Sequence, residues 1–169
     1  VVAASSLVAK FWGERGGFKA EVISTTKVGH VHFIYEGDFK VLQKYFDSIK
    51  AKLLVATESI TKNMQKRGGG IINIVLKNKS DKLKNYYQLH VTFETKDSMG
   101  ANFINSCLET IANTFRKDGI EIVMSILSNY IPNCLVRAEV SCKIEDLDKH
   151  NAFEFAKKFH QAVQIANIE

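Results

Sequence analysis

The sequence predicts an α+β fold in which one antiparallel sheet carries two helices on a single face, and three observations predict it. Four segments alternate apolar and polar residues at the period of a strand. Two longer segments between them repeat apolar residues at helical spacing, and glycines or polar turns separate the six. In chain order they read β-α-β-β-α-β over residues 28–127, the split βαβ or ferredoxin-like pattern.

The first strand, 28–35, places Val31, Phe33 and Tyr35 on one face and His30, His32 and Ile34 on the other. Phe39, Leu42, Phe46, Ile49, Leu53, Ile60 and Met64 then form one helical stripe over 38–66, ended by Gly68-Gly69-Gly70. The second strand, 71–77, is expected to share Ile72, Ile74 and Leu76 on one face, and the third, 86–94, to share Tyr87, Leu89, Val91 and Phe93. Polar residues 78–85 make the turn between them. A second helix over about 98–117 buries Ile104, Cys107, Leu108, Ile111 and Phe115. Gly119 separates it from a fourth strand carrying Ile120, Ile122, Met124 and Ile126.

The flanks belong to something else. A helix near 2–15 with Val1, Val2, Leu7, Val8, Phe11 and Trp12 and a short strand near 18–24 precede the unit. A strand near 135–144 and a helix striped by Phe153, Phe155, Ala156, Phe159, Val163 and Ala166 follow it. Residues 1–27 and 128–169 are therefore expected to be parts of a larger helical domain into which the small domain, 28–127, is inserted. With no initiator methionine and a final stripe running to Glu169 without a cap, the chain reads as cut from a longer polypeptide.

Composition narrows the function classes only broadly. At 46% hydrophobic and 24% charged, the 169 residues have an ordinary globular profile. The net charge of +5 suggests anionic partners, but the lysines are scattered, the densest being Lys77, Lys79, Lys82 and Lys84. Three cysteines (Cys107, Cys134, Cys142) without a CxxC pair indicate neither a disulfide framework nor a zinc site, and a reducing cytoplasm is the expected location. No apolar run reaches the ~18 residues of a membrane span. His30, His32, His150 and His160 are not spaced with carboxylates or cysteines as metal ligands, so no metal is expected.

The most informative segment is Asp97-Ser98-Met99-Gly100-Ala101-Asn102-Phe103-Ile104, which leaves a strand and opens a helix. A helix chosen for stability would avoid Gly100, which costs roughly 1 kcal/mol against alanine in an interior. Two readings stand. Asp97 is an N-cap with an incidental glycine behind it, or a ligand phosphate approaches bare backbone at the positive end of the helix. His90, seven residues before Asp97, is likewise open to two readings, as part of a site or as a packed histidine on the polar face of strand three, and Met99 to two, as core or as ligand contact.

The spacing His90, six residues, Asp97-x-Met99-Gly100-x-Asn102-x-Ile104 resembles the cofactor-site signature of 3-hydroxy-3-methylglutaryl-coenzyme A reductases. Val1-Val2-Ala3-Ala4, Arg67-Gly68-Gly69-Gly70 and Ile126-Leu127-Ser128-Asn129 resemble further stretches of the bacterial type, in order. After Ser128-Asn129-Tyr130 the animal enzymes carry Asp-Lys-Lys, including the catalytic lysine. Here Ile131-Pro132-Asn133-Cys134 follows, so the chain is similar to the class II form.

That resemblance implies a small ferredoxin-like domain inserted in a larger helical one, and reduction of 3-hydroxy-3-methylglutaryl-coenzyme A (HMG-CoA) to mevalonate by two hydride transfers from a nicotinamide cofactor. It places cofactor contacts at Asp97, Met99, Gly100 and Asn102 and an active-site contact at Asn129, with no catalytic residue in this chain: the glutamate falls before Val1, and the lysine and arginine after Glu169. It also implies a homo-oligomeric parent enzyme. NADH-specific relatives hold the ribose with an acid before the triple glycine. Here Lys62, Lys66 and Arg67 stand there with no acid after Glu58, favouring NADPH over NADH.

The competing reading, an RNA-recognition module of the same element order, expects aromatics in a glycine-containing run on strand three. Residues 85–93 read Asn-Tyr-Tyr-Gln-Leu-His-Val-Thr-Phe, so neither a nucleic-acid nor a membrane partner is expected. A small-molecule-sensing regulatory domain of this fold is the other alternative.

Overall fold

The computed structural model describes residues 1–168. Its elements are α1 (Val2–Gly13), β1 (Lys19–Tyr35), α2 (Phe39–Ala56), α3 (Glu58–Lys66), β2 (Gly70–Asn78), β3 (Tyr86–Glu94), α4 (Ala101–Phe115), β4 (Ile120–Leu127), β5 (Cys134–Glu139) and α5 (Ala152–Ala166), with one 3-10 turn at Ile144–Asp146. The chain divides into two compact units, Ile23–Leu135 and Val1–Val22 with Val136–Glu169.

In the unit 23–135, the sheet order is β2-β3-β1-β4, with every adjacent pair antiparallel. The β-α-β-β-α-β connectivity returns each crossover to the same face, so α2, α3 and α4 bury their stripes on one side of the sheet. Phe33, Leu89, Val91 and Phe93 from the strands meet Leu42, Leu53, Ile104, Leu108, Ile111 and Phe115 from the helices, all at most 1% exposed. Each such side chain contributes about 1.5–3 kcal/mol by leaving water. Aromatic contacts fix the layer spacing: Phe33 stands edge-on to Phe115 at 5.1 Å between centroids, and Phe39 stacks on Tyr87 at 5.9 Å.

The other unit holds α1 and α5. Phe11 and Phe155 approach to 6.4 Å, and an open apolar groove of about 580 Å³ is lined by Leu7, Val8, Phe11, Trp12, Phe155 and Phe159. Neither helix has a buried residue. Arg15 anchors the loop after α1, donating from Nε to the Asp146 carbonyl at 2.6 Å.

Five expectations require correction. The strands anticipated at 18–24 and 28–35 are one continuous strand, β1, because polar Thr25 and Lys27 are held by partners across the sheet: Thr25 Oγ1 donates to Glu94 Oε2 at 2.6 Å and Lys27 Nζ to Thr95 Oγ1 at 2.7 Å. The single helix over 38–66 is broken at Thr57, whose N–H and Oγ1 both donate to Leu54 O, at 3.1 and 2.8 Å. That local bonding closes α2, and the Thr57 carbonyl then opens α3.

Ile72 does not share a face with Ile74 and Leu76. A bulge between Ile71 and Asn73 inserts it as an extra residue, so Ile71 packs on the core and Ile72 is 56% exposed. The same happens in β4: His32 pairs with Met124 and Phe33 with Ile122, leaving Val123 extra. Met124 and Ile126 are thereby turned to the outer face, while Leu127 packs inward. Finally, the strand expected at 135–144 ends at Glu139, beyond which the chain turns into the 3-10 segment closed by Asp146 N–H on Lys143 O at 3.1 Å.

Candidate functional site

Strand registers gather the distinctive segments at one end of the sheet. Glu94, the last residue of β3, lies opposite both Thr26 of β1 and Gly70, the first residue of β2. Leu127, the last residue of β4, lies opposite Gly29, and Ser128 N–H continues onto the Val28 carbonyl at 2.9 Å. Arg67–Gly70, Thr95–Gly100 and Ser128–Asn129 therefore leave the sheet at the same end, where α4 begins. Arg67 and Asp97 meet there, with guanidinium and carboxylate 3.8 Å apart.

The turn before α4 is built on Thr95, which is fully buried. Its hydroxyl donates to Ser98 O at 2.8 Å and accepts from Lys27 Nζ at 2.7 Å. Its carbonyl accepts from Ser98 N–H at 3.1 Å and from Ser98 Oγ at 2.8 Å. Lys27 Nζ also donates to Ser98 O at 3.1 Å. Upstream, Glu94 accepts from Thr25 Oγ1 and from Lys96 N–H at 2.7 Å. The Thr25 bond first, then Lys96 and Lys27, holds this carboxyl below the usual range.

Gly100 is the N-cap, at φ +74°, and a Cβ there would lie 2.6 Å from Thr95 Cγ2. The anticipated N-cap role of Asp97 is therefore corrected. The Thr95–Ser98 turn closes first, α4 starts only at Ala101, and the Asp97 side chain is 89% exposed beside Arg67. Gly100 has a sufficient reason in the fold itself, since positive φ and the Thr95 contact exclude a side chain with or without a ligand.

No side chain caps α4. The N–H groups of Ala101, Asn102 and Phe103 thus lack an intrahelical partner at the positive end of a helix of 15 residues, the first internal bond being Ile104 N–H on Gly100 O at 2.9 Å. Three cations lie on the neighbouring segments: Lys27 on Ser98 O, Arg67 beside Asp97, and Lys96 with its chain against Gly68. Met99 is 75% exposed, so it is not core, and Asn102 is exposed beside it. Asn129 is exposed just beyond β4 at this same end of the sheet. The arrangement suits an anionic ligand that needs backbone N–H donors, flanking cations and an open approach.

His90 belongs to another surface. It lies on the sheet face opposite the helices, directly across from His30, with His30 Nε2 and His90 Nδ1 3.0 Å apart. His32 Nδ1 bonds the Tyr86 hydroxyl at 2.6 Å, and Gln88 donates to that hydroxyl. Burial, then His90, His32, Lys77 and Lys79, pushes His30 down to about 4. Burial also lowers His32 and, reinforced by Lys77 and Lys79, His90. The trio is neutral at pH 7, and among the described residues no cluster of three or more potential ligands forms a metal site. Lys27, Thr95 and Ser98 were not singled out in the sequence. They lack a motif, and only the register that sets Lys27 opposite Phe93 brings the first to the other two.

Comparison with known proteins places this geometry in a family. The model of the hydroxymethylglutaryl-coenzyme A reductase family matches residues 1–169, and the chain belongs to that family. A probable 3-hydroxy-3-methylglutaryl-coenzyme A reductase of Borreliella burgdorferi is 31% identical over 139 residues, 80% of this chain and 32% of that protein. The class II reductase of Streptococcus pneumoniae, solved bound to NADPH in open conformations, superposes with a TM-score of 0.82 at 28% identity, covering 99% of this chain and 46% of that one. Another structure of the S. pneumoniae reductase gives 0.80 at 28% identity, covering 98% of this chain and 40% of that one. The chain thus spans a third to a half of the relatives it matches. No described helix is long and apolar enough to cross a membrane.

Proposed function

We propose that the unit 23–135 is the nicotinamide-cofactor-binding small domain of a class II HMG-CoA reductase, inserted into a larger helical domain represented here by 1–22 and 136–169. The observation that carries this reading is the uncapped start of α4. Its free N–H groups, the exposed Asp97, Met99 and Asn102, and the cations of Lys27, Arg67 and Lys96 all fall on the segments that meet at one end of the sheet.

The cofactor, when bound, supplies the hydride. The chain's own residues bind and orient it. N–H groups of Ala101–Phe103 receive an anionic oxygen of the dinucleotide, Gly100 through its positive φ starts the helix that presents them, Asn102 donates a hydrogen bond, and Met99 offers apolar surface. Asp97, held by Arg67, sets the guanidinium at the rim. Asn129 contacts the ligand from the β4 side. Lys62, Lys66 and Arg67, with no acid among residues 59–67, favour the 2′-phosphate of NADPH over the free ribose hydroxyls of NADH.

The oxyanion stabiliser, the proton donor and the clamp for the substrate carboxylate fall in the part of a full-length reductase that this chain does not span. The open apolar groove between α1 and α5 is where that part packs. The full protein converts HMG-CoA, two NADPH and two protons to mevalonate, coenzyme A and two NADP+, as a cytoplasmic homo-oligomer. The 169-residue chain binds cofactor without turnover. The test is NADPH oxidation followed at 340 nm on adding HMG-CoA to the full-length protein, with mevalonate as product. NADPH binding without any HMG-CoA-dependent oxidation would overturn the reading.

A further inference from the structure

We infer that Lys27 is a positioning residue for the cofactor turn, an inference that rests on the function proposed above. Lys27 sits on the core side of β1, opposite Phe93, and its stem runs beside the apolar layer to deliver an ammonium to the turn. Two of its protons are committed, to Thr95 Oγ1 at 2.7 Å and Ser98 O at 3.1 Å. Thr95 Oγ1 in turn donates to Ser98 O, so the ammonium closes a three-membered network that crosses from one strand to the loop after another.

The helix dipole argues against a cation here. The ammonium is half-buried, and it stands at the end of α4 where the helix dipole is already positive, an arrangement that costs free energy unless negative charge shares it. Glu94 offsets part of this, but its oxygens are engaged by Thr25 and the Lys96 N–H. A methionine would fill the same space without the charge. What the lysine adds is a fixed turn geometry and a positive potential behind the N–H groups of Ala101–Phe103. Both favour a ligand phosphate group.

The experiment compares the unsubstituted chain with Lys27→Met and Lys27→Arg. Amide hydrogen exchange at Ser98 and Ile104, whose N–H groups bond within the turn and the first helical bond, reports positioning without any ligand. Titration with NADPH reports function. Lys27→Met is expected to speed exchange at these two amides while Leu89 in the sheet keeps its rate, and to weaken NADPH binding about tenfold as the turn loosens and its positive charge is lost. Lys27→Arg restores part of the affinity.

Unchanged exchange at Ser98 and Ile104, or unchanged NADPH affinity in Lys27→Met, overturns the inference. A lysine that only stabilised the fold would lower the melting temperature of Lys27→Met with affinity intact at 20 °C. Failure of the unsubstituted chain to bind NADPH overturns the proposed function instead, and is read directly from the same titration.

Discussion

Gly100 and Thr95 occupy the inside of one turn so closely that a single methyl on the glycine would lie 2.6 Å from Thr95 Cγ2. With φ at +74°, Gly100→Ala meets both a steric and a conformational penalty. We expect a loss of about 1–3 kcal/mol in urea unfolding. Thr95→Ser removes Cγ2 while keeping the hydroxyl and Cβ, the latter 2.9 Å from the added methyl, so in the double variant only part of the steric loss of Gly100→Ala is recovered and the conformational part remains. Additive losses would contradict the contact.

Arg67 and Asp97 join the segment before β2 to the one before α4, but both are exposed. Arg67→Ala should therefore cost less than about 1 kcal/mol of stability. Its expected effect is on cofactor choice. Initial rates of the full-length protein should favour NADPH over NADH, and Arg67→Ala should narrow that ratio. A clear preference for NADH in the unsubstituted protein would reverse the specificity reading.

The histidine face sets a pH dependence. His30 titrates near 4 in the folded chain against 6.5 when unfolded, and His32 and His90 are also lowered. The unfolded chain then binds more protons below pH 6.5, so stability is fully present above that value and falls as pH drops toward 4. The lowered carboxyl of Glu94 acts only below its unfolded value of 4.5, outside most of this window. The urea midpoint should decline from pH 6.5 to 5, and His30→Gln should flatten the decline. A midpoint constant over that range would refute the assignment.

Phe33 is fully buried between Phe115 and Tyr87. Phe33→Ala should cost about 3–5 kcal/mol, whereas Ile72→Ala, at the exposed bulge, should cost under 1 kcal/mol. Equal losses in thermal unfolding would mean that the bulge in β2 is misplaced.

Much of the fold was legible because burial and period coincide. Every apolar position assigned to the inner face of β3, from Tyr87 to Phe93, and to the α4 stripe, from Ile104 to Phe115, is buried. Two of the failures share a cause. Bulges at Ile72 and Val123 add one residue without altering the apolar pattern, so strict alternation puts Ile72, Met124 and Ile126 on the wrong face. Thr57 ends a helix through its own side chain, inside a stripe that continues unbroken on either side.

The site was legible as a motif and not as a geometry. The spacing from Asp97 to Ile104 marks the segment, yet the need for a bare backbone at Gly100 is met in full by Thr95 and a positive φ. Lys27 carries no local signal, because its role depends on a pairing with β3 that lies far along the chain. His90 matched the signature but stands on the opposite sheet face, paired with His30.

The most direct test of the account is a titration of the isotopically labelled chain with NADPH, followed through its backbone amide resonances. The account predicts saturable shifts concentrated at Arg67–Gly70 and Ser98–Phe103, with the amides of His30, His32 and His90 unmoved. Shifts centred on the histidine face, or none at all, would contradict it.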